Sequence, residues 1–250
     1  MLDLQSLRSQ LSRQSFAPLF ATLSGAHLYG FESPDSDIDL RGAFVLPVEQ
    51  VVGLVTAADT VTKTYLDAGV EMDLVCHDIL KYCRLLHKRS GEILEQLYSP
   101  LVVWPAPQLE ELRDLFRPHI GRDFYYHYRG FLGNQLRFID RDESTVKEML
   151  YGYRVALTGI HLLRSGQVAA NLPELLELYP QSGLDELLAQ KRAQQEKTPL
   201  EPALKGGHRQ RLAQLEQEME EAYKDSSLPH PTGGLTDLHE FVVRVRLGRS

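Results

Sequence analysis

Cysteine is scarce: Cys76 and Cys83 are the only two in 250 residues. Their spacing suits neither a metal knuckle nor a redox pair, so neither zinc nor a disulfide framework is implied, and reduced thiols are the economical reading. Long apolar runs are missing too. No stretch approaches the roughly 20 residues that a membrane-spanning helix needs, and the opening MLDLQSLRSQ lacks the basic-then-apolar order of a signal peptide. These absences lead us to expect a soluble, cytoplasmic chain with no membrane partner. Positive charge is not in excess either: 27 Lys and Arg against 34 Asp and Glu leave a net charge of −7. That gives no global field for gripping a nucleic-acid duplex, so a polynucleotide would have to be met by a local patch. Internal repeats and low-complexity tracts are absent. What is present is a globular composition, 43% hydrophobic and 24% charged, on a chain long enough for one large domain or two small ones.

The first hundred residues read as mixed α/β. Leu4, Leu7 and Leu11 recur at helical spacing, and the apolar run 16–23, closed by Ser24-Gly25, predicts a buried strand and a turn. Strands are expected over 38–46, 60–66 and 70–76, with the loop FESPDSD before the first of these. A helical period follows over 78–87 and 92–97. From residue 108 the strand signal disappears and helices are predicted over 108–116, 124–139, 144–164, 172–178, 184–195 and 208–224. SSLPHPTGG reads as a loop, and 237–247 as apolar alternation of uncertain type.

Chemistry concentrates in SGAHLYGFESPDSDIDLR, residues 24–41. Asp37 and Asp39 flank Ile38 in a strand context, so period-2 alternation sends both carboxylates to one face and the aliphatics to the core. Two anions so close are unfavourable unless a cation lies between them, and an oxygen-seeking divalent ion such as Mg²⁺ is the ordinary solution. A third acid is offered on the 70–76 strand, where Glu71 and Asp73 share a face. If the two strands are neighbours, three carboxylates converge, enough to clamp two metal ions as polymerases do. Upstream, the Ser24-Gly25-Ala26 turn lets backbone N–H groups approach a phosphate, with His27 beside it. Two plainer readings compete. One is an Asp-rich turn with solvated acids. The other is a calcium loop, for which Asp35, Asp37 and Asp39 imitate the first ligands, but Leu40 stands where Gly and Leu46 where Glu is required.

The order of apolar strand, small-residue turn, a gap of about ten residues and Asp37-Ile38-Asp39-Leu40, then a later acid, resembles the nucleotidyltransferase superfamily of DNA polymerase β. The wider strings, including DLVCHDILKYCRLLHKRSGEILEQLYSP, YYHYRGF and VKEMLYGYRVALTGIHLL, are similar to the bacterial predicted nucleotidyltransferases of the YcgL and RNA-repair polymerase β-like group. This resemblance implies an α+β fold. A small mixed or antiparallel sheet with flanking helices would form the catalytic palm over 1–107, and an all-helical domain would follow over 108–250. It implies Asp37, Asp39 and Asp73 as metal ligands and catalytic carboxylates, Gly25 in the phosphate-facing turn, and Glu95 and Tyr98 close to the cleft. One departure is Ala26, where the family carries Ser or a second Gly.

On the 144–164 helix, Lys147, Tyr151, Arg154, Thr158 and His161 fall on one line. Against the plain reading of a solvated face, Lys147 and Arg154 are candidates for the β- and γ-phosphates and Tyr151 for the base or sugar. The cluster Phe124 to Tyr128 reads as core more readily than as a stacking platform. The expected activity is a transfer of NMP from an NTP to an acceptor hydroxyl, an RNA end foremost, using two Mg²⁺ ions, with Mn²⁺ as a substitute. A protein AMP-transferase and a non-catalytic, antitoxin-like nucleotide-binding regulator are the alternatives. Oligomeric state is not legible.

Overall fold

The computed structural model describes residues 3–193, 198–230 and 233–249. By its contacts the chain divides into two units, each drawn from separate stretches: Met1–Gly25, Asp37–His119 and Thr232–Ser250 form one, and Ala26–Ser36 and Ile120–Pro231 the other.

The first unit is α+β. Its helices are α1 (Leu4–Ser12), α3 (Ile79–His87), α4 (Gly91–Leu97), α5 (Pro107–Phe116) and α11 (Leu235–Arg246), numbered along the whole chain together with α2 and α6–α10, introduced below. Its strands are β1 (Pro18–Leu23), β2 (Ile38–Phe44), β3 (Thr60–Asp67), β4 (Val70–Asp78) and β5 (Val102–Trp104). They form one sheet in the order β3-β4-β2-β1-β5. β2 and β4 run parallel, and the other neighbouring pairs run antiparallel. Alternation along the central strands explains the core: Leu40, Met72, Leu74 and Cys76 enter one buried cluster with Leu7, Leu11 and Leu23.

Helix capping places the elements that flank the sheet. Asp78, at the end of β4, caps α3 by accepting from Leu80 N at 3.0 Å. The same buried carboxylate accepts from Leu46 N at 2.9 Å and pairs with Arg246 of α11 at 2.6 Å. The C-terminal helix is thereby tied to the first unit, where it packs on α3 and α5.

The second unit is helical: α6 (Tyr125–Ile139), α7 (Val146–Ser165), α8 (Leu172–Leu178), α9 (Leu184–Ala193) and α10 (Pro202–Asp225). The α7 helix opens with a capping box between Thr145 and Glu148 and closes on Gly166 in the left-handed region, φ +72°. It packs against α6, α8, α9 and α10. Every residue from Gly152 to Leu163 is buried as a result.

Three elements differ from the sequence reading. β5 is three residues long, too short a run to register. Gly25–Tyr29, expected as a turn, is a five-residue helix, α2. α10 starts at Pro202, ahead of the expected 208, because Gly206-Gly207 weakens the helical signal near its start. The closing segment, whose type the sequence left open, is a helix. Gln194 and Gln195 of the expected 184–195 helix, and Pro231 and Thr232 of the expected loop, lie outside the described residues.

Candidate active site

The parallel pairing of β2 with β4 sets Asp39 directly beside Asp73. Ile38 and Leu40 face the core on one side of this pair, as Met72 and Leu74 do on β4, so period-2 geometry turns both carboxylates to the opposite face. The register also decides between the two acids of β4: Glu71 is exposed and lies two residues before the Asp39 partner. Asp37 stands one residue ahead of β2 and is partly exposed.

The cation between Asp39 and Asp73 is Arg41, which alternation places on the Asp39 face. Its Nη2 donates to Asp39 Oδ1 at 2.5 Å and to Asp73 Oδ2 at 2.8 Å. Its Nη1 donates to the main-chain carbonyls of Asp73 at 2.7 Å and Leu40 at 3.1 Å. The Arg41 side chain is only 12% exposed, against 13% for Asp39 and 27% for Asp73. Low local dielectric strengthens such a group, and a fixed guanidinium fork orients it. The sequence reading did not single out Arg41. The signal was its position, two residues beyond Asp39 on the same strand.

Gly25 closes the other side of Asp39. It adopts φ +60°, and a Cβ there would stand 1.7 Å from Asp39 Oδ2, so only glycine allows this approach. Ser24, buried, donates its N–H to the Asp39 carbonyl at 3.0 Å, continuing the β1–β2 pairing to the turn. Asp39 is thus held by Arg41 at one oxygen and lies against Gly25 at the other.

Do these residues fit a divalent ion? Two carboxylate oxygens on separate strands already share one cationic nitrogen, so their convergence suits a hard cation. Among the described residues no three His, Cys, Asp or Glu side chains are grouped to hold a metal ion. A pair of carboxylates is nonetheless a usual protein share for Mg²⁺, which takes its other ligands from water and substrate phosphates.

The remaining expected residues lie in the second unit. Ala26 is buried and accepts from Gly30 N at 3.0 Å and Phe31 N at 3.2 Å through its carbonyl; His27 is partly buried. Lys147 and Tyr151 stand together, with the ammonium 5.7 Å from the ring centre. Both line a cavity of about 560 Å³ with Gln135, Phe138, Arg141 and Glu148. Arg154, expected to present itself to phosphate, is wholly buried, its guanidinium 3.8 Å from the centre of the Tyr29 ring. Thr158 and His161 of the same stripe are buried as well. The later part of the stripe, from Arg154 on, is therefore packed into the unit, whereas Lys147 and Tyr151 stay partly open.

Several other candidates have packing roles. Tyr98 donates its hydroxyl to the Arg113 carbonyl at 2.6 Å, and burial pushes it up to about 12. Glu95 is buried on α4. Phe124, Tyr125 and Tyr128 are core, and Tyr125 stacks on Tyr223 at 4.4 Å. Cys76 and Cys83 are buried, and burial pushes their thiols up to about 12, which disfavours the thiolate. One residue the sequence reading missed is Lys191 of α9, wholly buried, which donates to Ser33 Oγ at 2.6 Å. Ser33 in turn bonds Asp35 and Ser36, organising the turn that precedes Asp37.

Among known proteins, the chain is 25% identical over 214 residues to MJ0002 of Methanocaldococcus jannaschii, an uncharacterised protein; the match covers 84% of this chain and 86% of that one. It is 28% identical over 145 residues to YcgL of Bacillus subtilis, also uncharacterised, covering 56% of this chain and 54% of YcgL. A nucleotidyltransferase-like protein from Exiguobacterium sibiricum aligns in structure over 98% of this chain and 79% of that one, at 10% identity and a TM-score of 0.30. The sequence profile of one family matches residues 3–244, nearly the whole chain. The protein belongs to the RNA repair pathway DNA polymerase beta family, RlaP.

Proposed function

We propose that this chain is a Mg²⁺-dependent nucleotidyltransferase that moves an NMP from an NTP, ATP foremost, to an acceptor hydroxyl at an RNA end. The observation that carries the reading is the convergence of Asp39 and Asp73, from separate strands, on one cation beside the Gly25 turn. Family membership supports nucleotidyl transfer, and a family named for RNA repair supports RNA as the acceptor.

Asp39 and Asp73, joined by Asp37, would hold the metal, which supplies charge neutralisation for the triphosphate and a lowered pKa for the acceptor hydroxyl. Asp73 is the more exposed of the paired acids and takes the proton from the acceptor hydroxyl. The Ser24–Gly25 backbone, with Ala26 and His27 following, faces the phosphates. Ala26 brings no hydroxyl, which leaves backbone N–H groups for that task. Within the helical unit, Lys147 and Tyr151 offer a cation and a ring beside one cavity, and we read them as candidate nucleotide contacts. In the balanced step, the acceptor oxygen bonds to the α-phosphorus, the α–β bridging bond breaks, and pyrophosphate leaves with one proton released to Asp73.

The test is transfer of α-labelled NTP, in Mg²⁺ or Mn²⁺, to RNA or to lysate polypeptides. Label on RNA supports the reading, and label on a polypeptide identifies a protein AMP-transferase. Absence of transfer together with absence of a nucleotide-induced thermal shift contradicts both. A non-catalytic nucleotide-binding regulator is the second reading. It is favoured by Arg41, which already neutralises the acid pair, and by Ala26. Tight ATP binding that survives Asp39→Asn without loss of cellular phenotype would select it.

A further inference from the structure

We infer that Arg41 is a positioning residue that competes with divalent metal for Asp39 and Asp73, so that the free protein binds the metal weakly and acquires it together with the triphosphate. The inference rests on the metal reading above for the identity of the competing ion, and on geometry for the rest.

A single nitrogen, Nη2, takes one oxygen from each carboxylate, at 2.5 and 2.8 Å. A metal binding those oxygens would have to stand where that nitrogen stands. The guanidinium is not held by the acids alone. Nη1 is fixed by the carbonyls of Asp73 and Leu40, which belong to the backbones of the two paired strands. Arg41 therefore remains beside the carboxylates even when they engage another cation, and its charge repels that cation at close range in a partly buried place. Arg41 takes Oδ1 of Asp39, and Oδ2 lies where a Cβ on residue 25 would stand, so the carboxylate is close-set between the two. A triphosphate arriving with its metal brings negative charge that offsets the guanidinium and supplies further oxygen ligands. Metal entry is thus coupled to substrate entry by the resident charge of Arg41.

The experiment is a titration of the full chain, without nucleotide, by Mn²⁺, with free Mn²⁺ read by electron paramagnetic resonance. Removing the resident charge in Arg41→Gln is expected to tighten Mn²⁺ binding by about tenfold or more, since a like charge at contact distance is lost. Arg41→Lys keeps the charge but cannot bridge both acids, so it should fall between the two. Adding Asp73→Asn to Arg41→Gln should abolish the gain, which places it at this pair. Equal or weaker Mn²⁺ binding by folded Arg41→Gln overturns the inference, because a merely structural arginine would leave the acids splayed or unchanged. Should Arg41→Gln fail to fold, Arg41→Lys decides by the same sign. Label transfer measured on the same samples separates the two claims. A chain that tightens Mn²⁺ but never transfers keeps this inference and loses the transferase reading, and transfer with unmoved Mn²⁺ affinity does the reverse.

Discussion

The two units bury their cations to different depths: the side chains of Arg41 and Arg246 keep 12% and 9% of their exposure, whereas Arg154 and Lys191 keep none. In the α+β unit, Arg41 meets Asp39 and Asp73, and Arg246 meets Asp78, so cation answers carboxylate across strands and helices. In the helical unit, Arg154 lies against the Tyr29 ring and Lys191 against the Ser33 hydroxyl, both wholly buried. A carboxylate pair partly open to solvent can exchange one cation for another, whereas a guanidinium packed against an aromatic face is part of the fold itself. The partly open pair is on the sheet, and the wholly buried cations are among the helices.

That contrast can be broken most severely at Gly25. Gly25→Ala puts a methyl where Asp39 Oδ2 now lies and forces a left-handed φ on an L-residue. It should destabilise the α+β unit by about 2–4 kcal/mol and lower transfer by about 100-fold, because Asp39 must turn away. Urea denaturation with parallel transfer assays checks both; full activity with native stability would contradict the placement of Asp39. In the helical unit, Lys191→Met keeps the stem but removes the donor to Ser33. A loss of about 1–3 kcal/mol is expected, read by hydrogen exchange at α9 and at the 33–36 turn.

A pH effect comes next, read locally at α6, since burial lowers His77 of the α+β unit as well. Burial lowers His127 to about 4, with the Arg154 charge adding to the shift. Between that value and the ordinary 6.5, the unfolded chain takes up a proton that the folded chain refuses, so stability is complete above about 6.5 and declines as pH falls toward 4. His161 and His208 in the same unit are lowered by burial too, so their contributions have the same sign. Hydrogen exchange at α6 should therefore accelerate over this window by an amount matching about 1–3 kcal/mol, and His127→Gln should blunt it. A flat profile would contradict the burial of that imidazole. The smallest effect belongs to Tyr98→Phe, which removes one hydrogen bond to Arg113 and should cost about 1 kcal/mol with transfer unchanged.

Much of the sheet was legible because its strands obey alternation: β2, β3 and β4 begin where the pattern places them, and Asp39 and Asp73 face away from the core that Leu40 and Leu74 enter. Strand adjacency was stated only as a condition, since period-2 patterning says which face a residue takes and not which strand lies beside it. Arg41 escaped notice for a related reason. The need for a cation was evident from the acids, but a metal and an arginine answer it equally in one dimension. The burial of Arg154, Thr158 and His161 on the polar line of α7 was not legible because projection separates faces without saying which neighbours cover a helix, and α7 packs on α6, α8, α9 and α10. The return of α11 to the first unit depends on the Arg246 contact with Asp78, which is 168 residues away in sequence and carries no local signature.

The central claim is that Asp39 and Asp73 together support transfer of a nucleotide. Its most direct measurement is the incorporation of α-labelled NTP into an RNA acceptor by the wild-type chain and by Asp39→Asn, in the same Mg²⁺ buffer. The account predicts labelled RNA with release of pyrophosphate from the wild type, and a loss of about 1,000-fold or more in the variant. Equal labelling by both proteins would contradict it.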